Sequence, residues 1–254
     1  NVSAQGMVPG AGSKVRKAKG VATGIGSGGI MVSAPILGFV NPGSSTNNIK
    51  LGGLTGTISA QGGTVNTDSD SAADATANGI NTYGANLTAD SVDLTVQATG
   101  GTAGGEASAA KVYAQAIGIT QFSYSEDGSG AKLTVTGPTS VNVSATGGGY
   151  EGTGSAQASY AWAYGIGKMY APRYMSGISS SGIYKLQDVT AVVSATGGTD
   201  NAGSTDPANP TTGGDVSAVA SGVATNIGSL TAKSLDLTRS EEHTSELQSL
   251  SRIS

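Results

Sequence analysis

The segment Val141-Asn-Val-Ser-Ala-Thr-Gly-Gly148 contains the pattern that decides the fold of this chain. Its apolar residues alternate with polar ones, since Val141, Val143 and Ala145 share one parity and polar residues occupy the other. A period of two predicts a β-strand with one buried face and one wet face, whereas a helix would scatter these side chains around its axis. The closing Gly-Gly pair is typical of a tight turn.

The same strand-and-turn pattern recurs along the chain, which makes it the unit of an internal repeat. Further copies are Thr57-Ile-Ser-Ala-Gln-Gly-Gly63, Leu94-Thr-Val-Gln-Ala-Thr-Gly-Gly101 and Val192-Val-Ser-Ala-Thr-Gly-Gly198, and Asn1-Val-Ser-Ala-Gln-Gly6 matches the end of another. Each copy precedes a Gly-rich and Ser-rich loop of variable length and then an Ala-alternating segment, at 73–80, 107–119, 155–166 and 216–223. A third element is repeated at 87–95 and 230–238. The chain is therefore predicted to repeat a unit of three strands.

The Ala-alternating segments also predict a buried face and a wet face. We expect the small apolar residues to point inward, namely Ala73, Ala75, Ala77, Ala110, Val112, Ala114, Ala116, Ala161 and Ala163. The opposite parity carries Asp74, Asn78, Lys111 and Gln115 together with the isoleucine that closes three of the segments, and we expect this face to be wet. One unit cannot bury its own face, so neighbouring units must stack. The predicted fold class is all-β, a parallel β-helix or related β-solenoid with variable Gly-rich loops.

The last sixteen residues, 239–254, differ in character from the repeats. Arg239-Ser-Glu-Glu-His-Thr-Ser-Glu-Leu-Gln-Ser249 resembles the in-frame translation of a common sequencing-library adapter. We therefore expect this tail to be non-native and the chain to be a fragment of a larger protein. The predicted organisation is an incomplete N-terminal solenoid turn with a Gly-rich loop at 1–49, a β-solenoid repeat region at 50–238 and the adapter-derived tail at 239–254.

Composition restricts the chemistry that this chain can perform. The 254 residues include 41 Gly and no Cys, and the single His lies in the tail. Without Cys or a native His, the chain cannot form disulfides, the usual zinc, haem or iron–sulfur sites, or a Ser–His–Asp unit. We therefore predict no cofactor, no metal site and no enzymatic activity. No apolar segment is long enough to cross a bilayer, so this segment is not expected to insert into a membrane.

The repeats resemble a known class of bacterial protein. The Val-Ser-Ala-Thr-Gly-Gly and Ala-x-Ala-Tyr-Gly-Ile patterns, which span roughly residues 50 to 238, are similar to the repetitive passenger regions of autotransporters, the type V secretion proteins. This resemblance implies a large secreted or surface-displayed protein that acts in adhesion or aggregation at the bacterial outer membrane. It implies an extracellular or cell-surface location and a partner that is a host or bacterial surface protein or a glycan. Nothing in the chain matches the outer-membrane barrel domain of the family, which leaves the export route open.

Aromatic residues form the candidate ligand-binding patch. Counted back from the closing Gly-Ile, Tyr113 and Tyr160 occupy the same position of consecutive repeats, and Trp162 and Tyr164 continue on the parity expected to face outward. Three further tyrosines follow, Tyr170, Tyr174 and Tyr184. Exposed aromatic rows can stack on sugar rings or anchor a protein partner. Alternatively, these rings stack on one another and stabilise adjacent strands, or they cover the core beneath a loop.

Other motifs are interpreted as structural. The acidic runs at 67–74 and 200–206 match neither the nonapeptide calcium-binding repeat nor the helix-loop-helix calcium loop, and they are predicted to be solvated turns. The basic run at 14–19 stands alone on an acidic chain, so no nucleic-acid partner is expected. The leading hypothesis is a non-enzymatic structural or adhesive segment. The alternative is a β-helix carbohydrate-active enzyme, a polysaccharide lyase or a tailspike-like hydrolase, which would place carboxylates on neighbouring strands. An ice-binding solenoid is a third hypothesis, disfavoured because Thr-x-Thr occurs irregularly.

Overall fold

The structure is a computed structural model that describes residues 1–8, 17–27, 47–66, 72–83, 85–104, 111–122, 132–150, 158–167, 182–200, 215–224 and 229–242. Every helix or strand assigned within these ranges is a β-strand, so the predicted all-β class is confirmed. The strands follow one another in sets. The first set is β1 (Val2–Gln5), β2 (Gly20–Ser27) and β3 (Asn47–Lys50).

Each later set has four strands, one of them only two residues long. The second set is β4 (Gly53–Gln61), β5 (Thr64–Val65), β6 (Ala75–Tyr83) and β7 (Ala85–Ala89). The third is β8 (Ser91–Thr99), β9 (Thr102–Ala103), β10 (Lys111–Phe122) and β11 (Lys132–Val135). The fourth is β12 (Thr139–Thr146), β13 (Gly149–Tyr150), β14 (Ala158–Ile166) and β15 (Ile183–Lys185). The fifth is β16 (Asp188–Thr196), β17 (Thr199–Asp200), β18 (Asp215–Val223) and β19 (Ser229–Thr231), and β20 (Ser234–Glu242) follows it.

Corresponding strands of successive sets pair in parallel and form four sheets. The long sheet has the order β1-β4-β8-β12-β16-β20, and the short sheet has the order β17-β13-β9-β5. The alanine sheet has the order β18-β14-β10-β6-β2, and the closing sheet has the order β19-β15-β11-β7-β3. The chain thus passes through the long, short, alanine and closing sheets in turn and re-enters the long sheet one strand further on.

Equivalent residues of the repeats lie beside one another in the long sheet. Val96 pairs with Ile58 on one side and Val143 on the other, and Ala98 lies between Ala60 and Ala145. These six side chains are buried in the main core. The predicted alternation is therefore confirmed in this sheet, since inward apolar columns of like residues bury one another.

The alanine sheet supplies the opposite wall of the same core. The residues predicted to face inward are buried as their parity predicts. Ala73 and Val112 lie in a second buried cluster, and the others lie in the main core: Ala75, Ala77, Ala114, Ala116, Ala161 and Ala163. Ala110 lies outside the described residues. Alanine leaves the two walls close together, which explains why a chain with few large apolar residues can still bury a continuous core.

The alternation in the alanine sheet breaks at the glycine before each closing isoleucine. A Cβ on Gly118 would lie 2.5 Å from the carbonyl oxygen of Gly165 and 3.0 Å from Cγ2 of Val143, so this position faces the core and has no space for a side chain. The next residue, Ile119, also belongs to the main core, so the alternation of faces does not continue past the glycine. The expectation of a wet face is therefore wrong for Asn78 and for the closing isoleucines, because all four side chains are buried: Asn78, Ile80, Ile119 and Ile166.

The Gly-Gly pairs form the corner between the long sheet and the short sheet. Gly101 N–H donates to Ala73 O at 2.9 Å, and the N–H of Gly149 donates to Gly101 O at 3.1 Å, so each corner is bonded to the sets on both sides. The predicted three-strand unit is wrong in this respect, because a two-residue strand follows each described corner from the second set onward. The connections from the short sheet to the alanine sheet vary in length, at 66–74, 104–110, 151–157 and 201–214.

The last strand has a different residue pattern from the strands it follows. All nine residues of β20 are exposed, including Leu235 at 45% and Leu237 at 43%. Arg239 pairs with Val193 and Glu241 pairs with Ala195, so two charged residues occupy columns that are otherwise aliphatic. Both charged residues lie in the segment 239–254, whose origin in an adapter stays a prediction.

Candidate binding surface on the alanine sheet

Three of the predicted site residues lie together on the outer face of the alanine sheet. Tyr113 on β10 pairs with Tyr160 on β14, and Trp162 follows two residues later. Because successive side chains of a strand point to opposite faces, these rings lie across the backbone from the buried Ala114 and Ala161. The predicted equivalence of the two tyrosines is confirmed.

The three rings stack on one another. The ring centroids of Tyr113 and Tyr160 are 5.3 Å apart with planes 9° apart. The Trp162 ring lies 5.7 Å from that of Tyr113 and 5.6 Å from that of Tyr160, at 29° and 23°. All three side chains are half-buried, and we call them the aromatic cluster. Offset stacking at these separations stabilises the pairing of β10 with β14 and leaves ring area open to a ligand.

Tyr164 does not belong to the exposed surface, which corrects the prediction that it faces outward. Its side chain is only 4% exposed, because it packs with Ile117 and Ala224, and Trp162 packs against this group from outside. Burial raises the pKa of the Tyr164 hydroxyl to about 12. Tyr164 therefore supports the aromatic cluster from beneath and cannot itself offer a ring to a ligand.

Tyr184 was also grouped with the patch by sequence position, and that grouping is wrong. It lies in the closing sheet, where it pairs with Leu133 and Leu230, and it is buried in the main core. Burial raises its pKa to about 12. The aligned leucines were the signal that could have placed Tyr184 inside. Tyr170 and Tyr174 lie outside the described residues.

Asp74 lies beside the aromatic cluster. Its predicted position on the wet face did not indicate this contact. Its carboxylate accepts a hydrogen bond from the backbone N–H of Tyr113, while Oδ1 is buried and has no partner among the described residues. Burial raises the pKa of this carboxyl above its ordinary value of 3.8, and the nearby charge of Lys19, the Tyr113 bond and the charge of Lys17 offset part of that effect. Asp74 is therefore a buried carboxyl next to the backbone of the aromatic cluster, and its Oδ1 is not exposed to a ligand at the surface.

We expect Asp74→Asn to raise the free energy of unfolding at neutral pH. Because the folded-state pKa lies above 3.8, the folded chain binds this proton more tightly, and stability falls as the pH rises from 3.8 through the folded-state pKa. The substitution should remove that fall. Urea unfolding of both proteins between pH 3.5 and 7 measures it, with Asp93→Asn, an exposed position on the long sheet, as the control. A loss of stability at pH 7 on Asp74→Asn would contradict this expectation.

The described part of the chain contains no group of three or more His, Cys, Asp and Glu side chains that could hold a metal ion. None of its segments is a helix with the length and apolar character needed to span a membrane. Most of the two acidic runs and half of the basic run lie outside the described ranges.

Comparison with known proteins gives no match for this chain. No family model matches it, and neither a curated protein nor a solved structure does.

Proposed function

We propose that this chain is a non-enzymatic, structural and adhesive segment of a large bacterial surface or secreted protein, built as a β-solenoid rod. The observation that carries the proposal is the pairing of corresponding strands through five successive sets, with like residues in register. Such stacking makes each set depend on its neighbours for burial and extends along one axis. An extended, repetitive body suits a spacer or a binding surface displayed away from a cell.

The aromatic cluster is the proposed contact surface for a glycan or a surface protein. It combines half-buried aromatic side chains on a regular sheet with the polar side chain of Gln115, which is paired with Trp162. Tyr and Trp dominate protein contact sites because they contribute large apolar area at little cost in side-chain entropy. The autotransporter resemblance supports the same assignment and the extracellular or cell-surface location.

The test is binding of the purified chain to a glycan array and to a panel of immobilised extracellular-matrix proteins. We expect the combined substitution of Tyr113, Tyr160 and Trp162 by Ala to weaken binding about 30-fold, which corresponds to about 2 kcal/mol. Thermal unfolding followed by circular dichroism shows whether the variant still folds.

The matched control replaces Thr95 and Asn142, which are paired neighbours on the outer face of the long sheet, by Ala. This variant should bind as the parent chain does. Equal binding by the folded aromatic variant would overturn the assignment of the contact surface. Depolymerisation of an arrayed glycan would favour the carbohydrate-active enzyme instead.

A further inference from the structure

A group of buried polar side chains lies at the end of the alanine sheet. Thr82 on β6 and Gln121 on β10 are partners in register, and both are completely buried. Within the described part of the chain, neither Oγ1 of Thr82 nor either polar atom of the Gln121 carboxamide has a hydrogen-bond partner. Buried polar groups in folded proteins nearly always have a partner, either protein or ordered water. These three atoms therefore need a ligand.

The described part of the next strand does not provide one because its pairing ends before Gln121. β14 pairs with β10 as far as Ile166 opposite Ile119, and the N–H of Gly167 donates to Ile119 O at 2.8 Å. Gly167 has a φ of 82°, in the left-handed region that favours glycine and not in the extended conformation of a strand. The paired residues of β14 thus end two positions before the one that would face Gln121.

Tyr184 takes the place of the missing strand at the Gln121 backbone. Its hydroxyl oxygen accepts the N–H of Gln121 at 2.9 Å, a bond that a continuing β14 would have supplied through a carbonyl. A Cβ on Gly182 would lie 2.9 Å from Cβ of Gln121, so the segment leading into β15 packs closely over this residue. The backbone of Gln121 is therefore satisfied, while its carboxamide is not.

We propose that Thr82, Gln121 and Tyr184 form an internal binding site for ordered water. Water fits the chemistry of the site, because it can accept from the Gln121 Nε2 and donate to Oε1 and to the Thr82 hydroxyl. A bound water joins the second and third sets by hydrogen bonds at the point where the backbone ladder ends. The site is neutral and closed, so it holds solvent as part of the fold.

The sign of one stability change tests the proposal. Thr82→Val keeps the shape of the side chain and removes the hydroxyl. If water bridges this site, the water loses a partner and the equilibrium constant of unfolding rises about fivefold. If the hydroxyl has no partner, its removal lowers that constant, because an unsatisfied buried group is lost. Urea unfolding measures the constant.

Thr139→Val is the matched control. Thr139 is also buried, and its Oγ1 has no partner among the described residues, but its neighbours in register are Val92 and Val189. Without a second polar side chain in that column, we expect this substitution to lower the unfolding constant about fivefold. Opposite signs for the two variants, with ordered solvent density within hydrogen-bond distance of the Gln121 carboxamide in a crystal structure, support the site. A lower unfolding constant for both variants, or a crystal structure without solvent density beside the Gln121 carboxamide, would overturn it.

Discussion

Gly101→Ala should destabilise the fold by about 4 kcal/mol or more, enough to unfold a domain of ordinary stability. A Cβ at this position would collide with the carbonyl oxygen of Gly63 and lie 2.8 Å from the carbonyl carbon of Gly62 and 2.9 Å from Cβ of Ala73. Two of these atoms are backbone atoms of the preceding set, so they cannot move away as a flexible side chain would. Circular dichroism and urea unfolding of the variant measure the loss.

The matched control for this prediction is Gly56→Ala in the long sheet. A Cβ there would lie 3.8 Å from Cδ2 of Leu94, which is ordinary van der Waals contact. Gly56 and Leu94 are paired in register, and the residue in the same column two sets beyond Leu94 is Ala191, so an alanine already occupies this column. We expect this variant to gain about 0.5 kcal/mol, since Ala restricts the unfolded chain more than Gly does. A Gly101→Ala protein as stable as its parent would show that the corners are not packed against each other.

Ala145→Glu should also abolish cooperative folding, with a loss of about 4 kcal/mol or more. Ala145 is buried in a column of alanines between Ala98 and Ala195, with no charged residue in either adjacent position. A carboxylate there would lose its hydration without a partner, and its volume would separate the walls of the core. Urea unfolding at neutral pH measures the effect, which should be smaller at acidic pH, where the side chain is neutral.

The same column provides its own control at Glu241. This residue occupies the alanine position of the last strand, where it is exposed and its Oε1 accepts the N–H of Ala220 at 2.9 Å. Because it already lies in solvent, Glu241→Ala should change stability by no more than about 1 kcal/mol, the contribution of one hydrogen bond. Equal losses from Ala145→Glu and Glu241→Ala would mean that the column does not become more buried towards its centre.

Sequence periodicity predicted the long sheet well because the burial of its central strands, β8, β12 and β16, alternates at every position. In the segment from Val92 to Ala98, inward and outward residues alternate without interruption, and the next set repeats the alternation in register. Parallel pairing of like residues then follows from burial, since a shift by one residue would turn each apolar face to solvent. The alignment of Tyr113 with Tyr160 could be predicted for the same reason.

The errors cluster where glycine interrupts that rule. The alternation predicted Ile119 outside and Tyr164 exposed, but the isoleucine after Gly118 lies in the core, and Tyr164 is buried with Ile117 and Ala224. The two-residue strands after each Gly-Gly pair were missed because periodicity cannot be measured over two residues. The buried polar site at Gln121 depends on where the pairing of β14 with β10 ends, and no local sequence pattern indicates that point.

The unequal connections between the short and alanine sheets have a practical consequence for protein engineering. The stretch at 201–214 is twice as long as the one at 104–110, yet the strands on either side of each meet their neighbours in the same register. Foreign peptides of differing size, such as viral epitopes or affinity tags, could therefore be grafted into several of these sites at once. The scaffold would present them in a row along one edge at a fixed spacing of about 4.8 Å per strand.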